Sequence, residues 1–203
     1  MHLSWLGNTT VKIQTKPFDQ DLVIVINPYK PDIGSFPRNL SAHIALFTNG
    51  TENSISLGEP FILSTPGECE TKGVLITAAP GEESGQAIFR VDAEDISVAH
   101  LGMLKKDLTA DQLDVVSGVD ILFVSVGGLN GYDAEYAVKA INTIEPRIVI
   151  PINYQSENNP KAAKVEVFLK EMGASSITPE KKIIIKAKDL PQEETKIIVL
   201  AKE

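Results

Sequence analysis

The chain has one cysteine in 203 residues, so no internal disulfide can form. That cysteine, Cys69, lies in Gly67-Glu68-Cys69-Glu70. Two flanking acids oppose thiolate formation, so Cys69 reads as a packed, inert thiol. Basic residues are outnumbered, 19 against 27 acidic, for a net charge of −8. Such a surface repels a phosphate backbone, which argues against nucleic acid as a partner. Long apolar runs are missing, and the longest present is far too short to span a bilayer. The first residues lack the basic-then-apolar order of a secretory signal. These absences predict a soluble, cytoplasmic protein with neither membrane nor nucleic acid as partner.

What is present is a dense series of short apolar stretches cut by turn residues, the pattern of packed β-sheets. Met1 to Leu6 and Val11 to Thr15 read as strands around Gly7-Asn8-Thr9. Asp21 to Ile26 is a third strand, stopped by Pro28, which cannot continue a ladder. Residues 29–41 read as loop and His43 to Thr48 as a strand. Phe61 to Ser64 and Lys72 to Ala78 follow, and Ala87 to Asp92 with Asp95 to His100 reads as a hairpin across Ala93-Glu94. Thr109 and Gln112 have the spacing of a capping box. Val119 to Val126 is apolar throughout, as a strand covered on both faces requires. Asp133 to Ile144 and Pro160 to Met172 carry helical periods, and Arg147 to Ile152 is a further buried strand. Lys182 to Lys186 and Lys196 to Leu200 close the series. No linker or low-complexity tract divides the chain, so residues 1–203 are expected to form one domain.

Several of these stretches, in order, resemble the short prokaryotic Zn-dependent-hydrolase group of the metallo-β-lactamase superfamily. Trp5-Leu6-Gly7-Asn8-Thr9-Thr10-Val11-Lys12-Ile13 resembles that group's W-L-G-H-S-x-F-x-I, and Ile26-Asn27-Pro28-Tyr29 its I-D-P-Y. Pro66-Gly67-Glu68-Cys69-Glu70 with Lys72-Gly73-Val74 resembles P-G-E-Y-E-x-K-G-V. His100-Leu101-Gly102-Met103 resembles H-L-G-D, and Val124-Ser125-Val126-Gly127-Gly128 resembles I-P-V-G-G. Val149-Ile150-Pro151-Ile152-Asn153-Tyr154 resembles V-I-P-M-H-Y, and Leu190 to Thr195 a closing L-P-E-E-T. The likeness implies an α/β fold of four αββα layers, with two central mixed sheets flanked by helices. It also implies a metal site at one edge, between the sheets.

The positions that the resemblance assigns to metal ligands carry other residues here. The H-x-H-x-D-H positions are Asn49, Thr51, Asn53 and Ser54. The bridging Asp position is Met103 and the late His position is Asn153. The loop that would supply a further His is reduced to Gly81-Glu82-Glu83-Ser84-Gly85. Carboxamides, hydroxyls and a thioether are poor ligands for a transition metal, which favours imidazole, thiolate or carboxylate. The resulting expectation is a catalytically inactive hydrolase-like protein with no cofactor, where the family uses zinc. Its vestigial site would serve as a pocket for a small polar ligand, or the chain would act as a scaffold or homo-oligomer subunit. Asn8, His100 and Glu82 are secondary candidates. A hydrolytic site rebuilt without metal from His100, Ser54 and Glu82 or Glu83 is the alternative; it needs nucleophile, base and orienting group within hydrogen-bond reach.

Overall fold

A computed structural model describes residues 1–203. The chain opens with β1 (His2–Gly7), β2 (Thr10–Thr15) and β3 (Leu22–Ile26), paired antiparallel in sequence. Strands β4 (Ile44–Leu46) and β5 (Phe61–Leu63) add in parallel. Next, β6 (Gly67–Thr71), β7 (Val74–Pro80), β8 (Ala87–Ala93) and β9 (Ile96–His100) form an antiparallel meander. The last third alternates helix and strand: α1 (Ala110–Val116), β10 (Ile121–Ser125), α2 (Ala134–Ile144), β11 (Ile148–Ile152) and α3 (Val165–Glu171), then the two-residue strands β12 (Ile183–Ile184) and β13 (Lys196–Ile197). One sheet has the order β12-β1-β2-β3-β4-β5, the other β13-β11-β10-β9-β8-β7-β6.

The two sheets face each other across one core. In β3 and β4 the residues Ile24, Ile26, Ile44 and Leu46 point inward, into a cluster that also holds Phe89, Val91, Phe123 and Ile150. The period of two along a strand sends Val25 and Ala45 to the opposite face. There they pack with Phe47 and Leu57 under loop residues Tyr29, Leu40 and Ile55. Helices α1 and α2 lie against the second sheet, α1 on β7 and β8 and α2 on β10, and α3 packs on α2. This is the sandwich of two mixed sheets that the resemblance implies, with its helices gathered on one side. Strand β10 is buried at every position because the first sheet and α2 cover its two faces.

Local differences from the sequence reading have local causes. The β8–β9 turn lies at Glu94 and Asp95, both left-handed (φ 54° and 58°), as a two-residue turn matched to strand twist requires. Gly67–Thr71, between two stretches read as strands, is itself a strand, because β7 offers it a free edge. Helix α3 begins at Val165, not Pro160, since the backbone just before it is spent elsewhere. Ala163 N donates to Gly127 O (3.1 Å) and Gln155 N to Ala163 O (2.9 Å). No helix is long and apolar enough to cross a membrane.

Candidate functional site

The C-terminal ends of the parallel strands β3 and β4 in one sheet, and β9, β10 and β11 in the other, meet at one edge of the sandwich. Carboxyl ends of parallel strands are where open α/β sheets place their sites. The loops leaving these ends carry Asn27, Thr48, Met103, Asn130 and Asn153.

Beneath the edge lies a closed polar network. Asn27, with no solvent exposure, donates from Nδ2 to Thr48 Oγ1 (2.8 Å) and Thr9 Oγ1 (3.2 Å). Its Oδ1 accepts from Thr48 N (2.8 Å), and its carbonyl accepts from Thr10 Oγ1 (2.5 Å). His100 Nδ1 accepts from Gly102 N (2.9 Å), so the ring proton sits on Nε2 and is donated to Thr9 O (2.9 Å). Burial pushes the His100 pKa down to about 4, so the ring is neutral at pH 7. Both ring nitrogens are occupied, and the histidine joins β9 to the β1–β2 turn as a brace. Gly102 is left-handed (φ 61°), and a Cβ there would stand 2.9 Å from Thr48 Cβ, so the crossing of the two sheets needs glycine.

Above the network opens a cavity of about 460 Å³. The first sheet supplies one wall through Asn8, Thr9, Tyr29, Asn49 and Asn53, with Lys30, Asp32 and Glu52 at the exposed rim. The second supplies Met103, Asn130, Asn153, Asn158 and Asn159. Burial raises the Tyr29 pKa to about 12, so its phenol is neutral. That phenol donates to Gly50 O (3.1 Å) and accepts from Asn49 N (3.0 Å). Asn153 spends both ends of its carboxamide: Nδ2 donates to Asn130 O (3.0 Å), and Oδ1 accepts from Asn159 Nδ2 (3.0 Å). Gly127 permits this arrangement, because a Cβ there would meet Asn153 O at 2.0 Å. A larger hollow of about 580 Å³ lies at the opposite end of the sandwich, beside Thr15 and Glu94. Both of its carboxylates are engaged, Glu94 accepting from Thr15 Oγ1 (2.8 Å) and Asp21 pairing with Lys16 (3.5 Å).

The structure thus brings Asn8, Asn49, Asn53, Met103 and Asn153 to one cavity. Thr51 and Ser54 are exposed and outside its lining, and Ser54 instead forms a β-bridge with Tyr29. Glu82 turns away: its Oε1 accepts from the backbone N–H groups of Lys105 and Lys106, tying two loops together. His100, Ser54 and Glu82 are therefore not assembled as base, nucleophile and orienting group. Sequence reasoning missed Lys30, Asp32, Glu52, Asn130, Asn158 and Asn159. The signal for the last two is Ser156-Glu157-Asn158-Asn159-Pro160, a polar turn just after a strand end that runs directly into a helical apolar period.

The donor set can be tested against a metal. The cavity offers carboxamides, hydroxyls and one thioether, and the rim's Asp32 and Glu52 have no imidazole or thiolate beside them. Nowhere in the chain do three or more His, Cys, Asp or Glu side chains gather so as to hold an ion. This set does not fit a zinc ion, which takes nitrogen, sulfur and carboxylate ligands in a tetrahedron.

Comparison with known proteins places the fold. Residues 2–153 match the β-lactamase superfamily domain, and the chain belongs to that family. A metal-dependent hydrolase of Staphylothermus marinus is 31% identical over 96 residues. That match takes in 47% of this chain and 41% of the relative, so the chain spans less than half of that protein. A structure from Thermotoga maritima, described as a Zn-dependent hydrolase of the metallo-β-lactamase superfamily, superposes with a TM-score of 0.81 at 23% identity over 98% of both chains. A metallo hydrolase from Ignicoccus hospitalis gives 0.69 at 14% identity, covering 91% of this chain and 99% of that one.

These relatives correct the expectation that no cofactor belongs with this chain. They are named as metal-dependent or Zn-dependent hydrolases, so the family points to a metal cofactor. The residue types at the matched ligand positions bear on one place in the fold and do not decide whether a metal belongs with the family. The misfit described above concerns the donor atoms at this edge alone.

Proposed function

We propose that this chain uses the edge cavity of a metal-dependent hydrolase family to bind a small polar ligand, without hydrolysing it. The observation that carries this reading is the cavity lining, in which seven of fourteen residues are asparagine. Carboxamides both donate and accept hydrogen bonds but neither transfer protons nor act as nucleophiles near neutral pH. The one imidazole nearby, His100, has both nitrogens committed to backbone partners. The unpaired Cys69 accords with a cytoplasmic setting.

The test is a turnover panel of esters, lactones, lactams and phosphodiesters, run on protein produced and assayed with zinc or manganese supplied. In parallel, a thermal-shift screen covers sugars, nucleosides, amino acids and peptides. The reading expects no turnover above that of the Asn49→Ala, Asn130→Ala double variant, and stabilisation by one ligand class that the double variant loses. Turnover of any panel substrate that the double variant lacks would overturn it, as would a screen in which nothing stabilises the chain.

A further inference from the structure

The chemistry of the cavity also narrows what it binds. We propose that its ligand is an uncharged polyhydroxylated molecule, a sugar or polyol, recognised by carboxamides; this rests on the binding role proposed above.

A carboxamide presents an N–H donor and a carbonyl acceptor side by side, and each hydroxyl of a vicinal diol both donates and accepts. The pair is complementary without either partner carrying charge. Three asparagines are oriented for this use by their main chains. Asn49 N donates to Tyr29 Oη (3.0 Å), Asn53 O accepts from Lys30 N (2.7 Å), and Asn130 O accepts from Asn153 Nδ2 (3.0 Å). Their backbones are held, all three residues are exposed at the lining, and no hydrogen bond within the chain engages their carboxamides.

Two acceptors at the wall lack a donor altogether, Asn8 Oδ1 and Asn158 Oδ1, both buried. Asn158 is only 7% exposed, and its Nδ2 is spent on Ile33 O and Ser35 O. A Cβ on Gly7 would stand 2.4 Å from Asn158 Oδ1, so this acceptor lies beside the residue that precedes Asn8. Both oxygens are shielded from solvent, so they lie beneath the wall, and a ligand in the cavity meets the exposed residues Asn49, Asn53 and Asn130 instead.

Other ligand classes fit less well. The charged residues of the lining are Lys30, Asp32 and Glu52, one cation against two anions, in a chain of net charge −8. That balance opposes a phosphate or carboxylate. Carboxylates at a rim do accept from hydroxyls, so Asp32 and Glu52 suit a polyol. A nucleobase needs flat faces to stack on, and the cavity has one aromatic residue, Tyr29, whose ring is already packed against Phe47 at 6.0 Å.

The experiment is calorimetric titration of the full chain with D-glucose, D-galactose, D-mannose, D-ribose and myo-inositol, beside D-glucose 6-phosphate, D-gluconate and adenosine. At least one uncharged sugar or polyol is expected to bind with a millimolar or tighter Kd, and the charged probes and adenosine about tenfold more weakly or not at all. Asn49→Ala and Asn130→Ala, each with an unchanged melting temperature, should weaken that sugar about tenfold. Tightest binding by adenosine or an anionic probe would overturn the ligand class while leaving the binding role intact. Silence from all four sugars and myo-inositol would overturn the class as well, and the binding role then stands or falls on the broader thermal-shift screen.

Discussion

Four asparagines at the site edge, Asn8, Asn27, Asn53 and Asn153, hold left-handed backbones with φ of 46°, 56°, 58° and 57°. Asparagine, aspartate and histidine are the side chains that tolerate this region best after glycine. The family resemblance assigns histidine or aspartate to all four positions. The edge loops impose the backbone, and asparagine meets that demand while removing imidazole and carboxylate. Trp5 Nε1, donating to Asn8 O (2.8 Å), helps hold one of these turns. His100 leads to a prediction at the same scale. Its folded pKa, about 4, lies below the ordinary 6.5, so below pH 6.5 the unfolded chain takes up a proton that the folded chain refuses. Stability is therefore complete above pH 6.5 and declines as pH falls toward 4, by on the order of 3 kcal/mol for full expression of the shift. Carboxylates held below their ordinary 4.5, such as Glu94 and Glu203, add their loss only below that value. Urea unfolding between pH 7 and 5 should show the decline, and His100→Gln should flatten it. A flat wild-type profile would mean that His100 is not held neutral by burial.

At the level of single elements, α1 shows a local code surviving unchanged into the fold. Gln112 N donates to Thr109 Oγ1 (3.3 Å), Thr109 N donates to Gln112 Oε1 (3.0 Å), and Gln112 Nε2 reaches Pro80 O (2.8 Å) at the end of β7. A seven-residue helix is marginal alone, so its cap and its packing on β7 and β8 decide whether it forms. Thr109→Ala should cost about 1 kcal/mol, read as a lower urea midpoint at unchanged m-value. Loss of less than a few tenths would show that packing alone sets the helix. Helix α3 is the opposite case. Its apolar period runs from Pro160, but Gly127 and Gln155 claim the backbone before Val165, and long-range hydrogen bonds outweigh propensity there.

Across the whole molecule, one cluster of 51 buried residues joins both sheets. The single tryptophan, Trp5, sits in the first sheet, while the three helices belong to the second. Fluorescence and far-UV circular dichroism therefore report on opposite halves of the sandwich. Because the core is shared, the two urea transitions should coincide. Resolved midpoints would mean that the sheets unfold separately. Phe123→Ala, in the interior strand β10 of the second sheet, should cost about 3–5 kcal/mol and lower both midpoints together.

The strands, the capped helix and the family were legible in the chain itself, because period, turn residues and caps are local and each acts within a few positions. Asn49, Asn53, Met103 and Asn153 could also be named from their places within motifs. What the sequence could not decide was which of these side chains share a cavity, since Asn49 and Asn153 are over a hundred residues apart and meet only when two sheets close. The role of His100 was likewise settled by partners distant in the chain: Thr9 O occupies one nitrogen, and burial keeps the ring neutral. Ser54 and Glu82 kept the residue types of a hydrolytic site but not the geometry, because their loops bond elsewhere. Local chemistry selected the elements, and only the packing of one sheet on the other determined which polar groups remain free to meet a ligand.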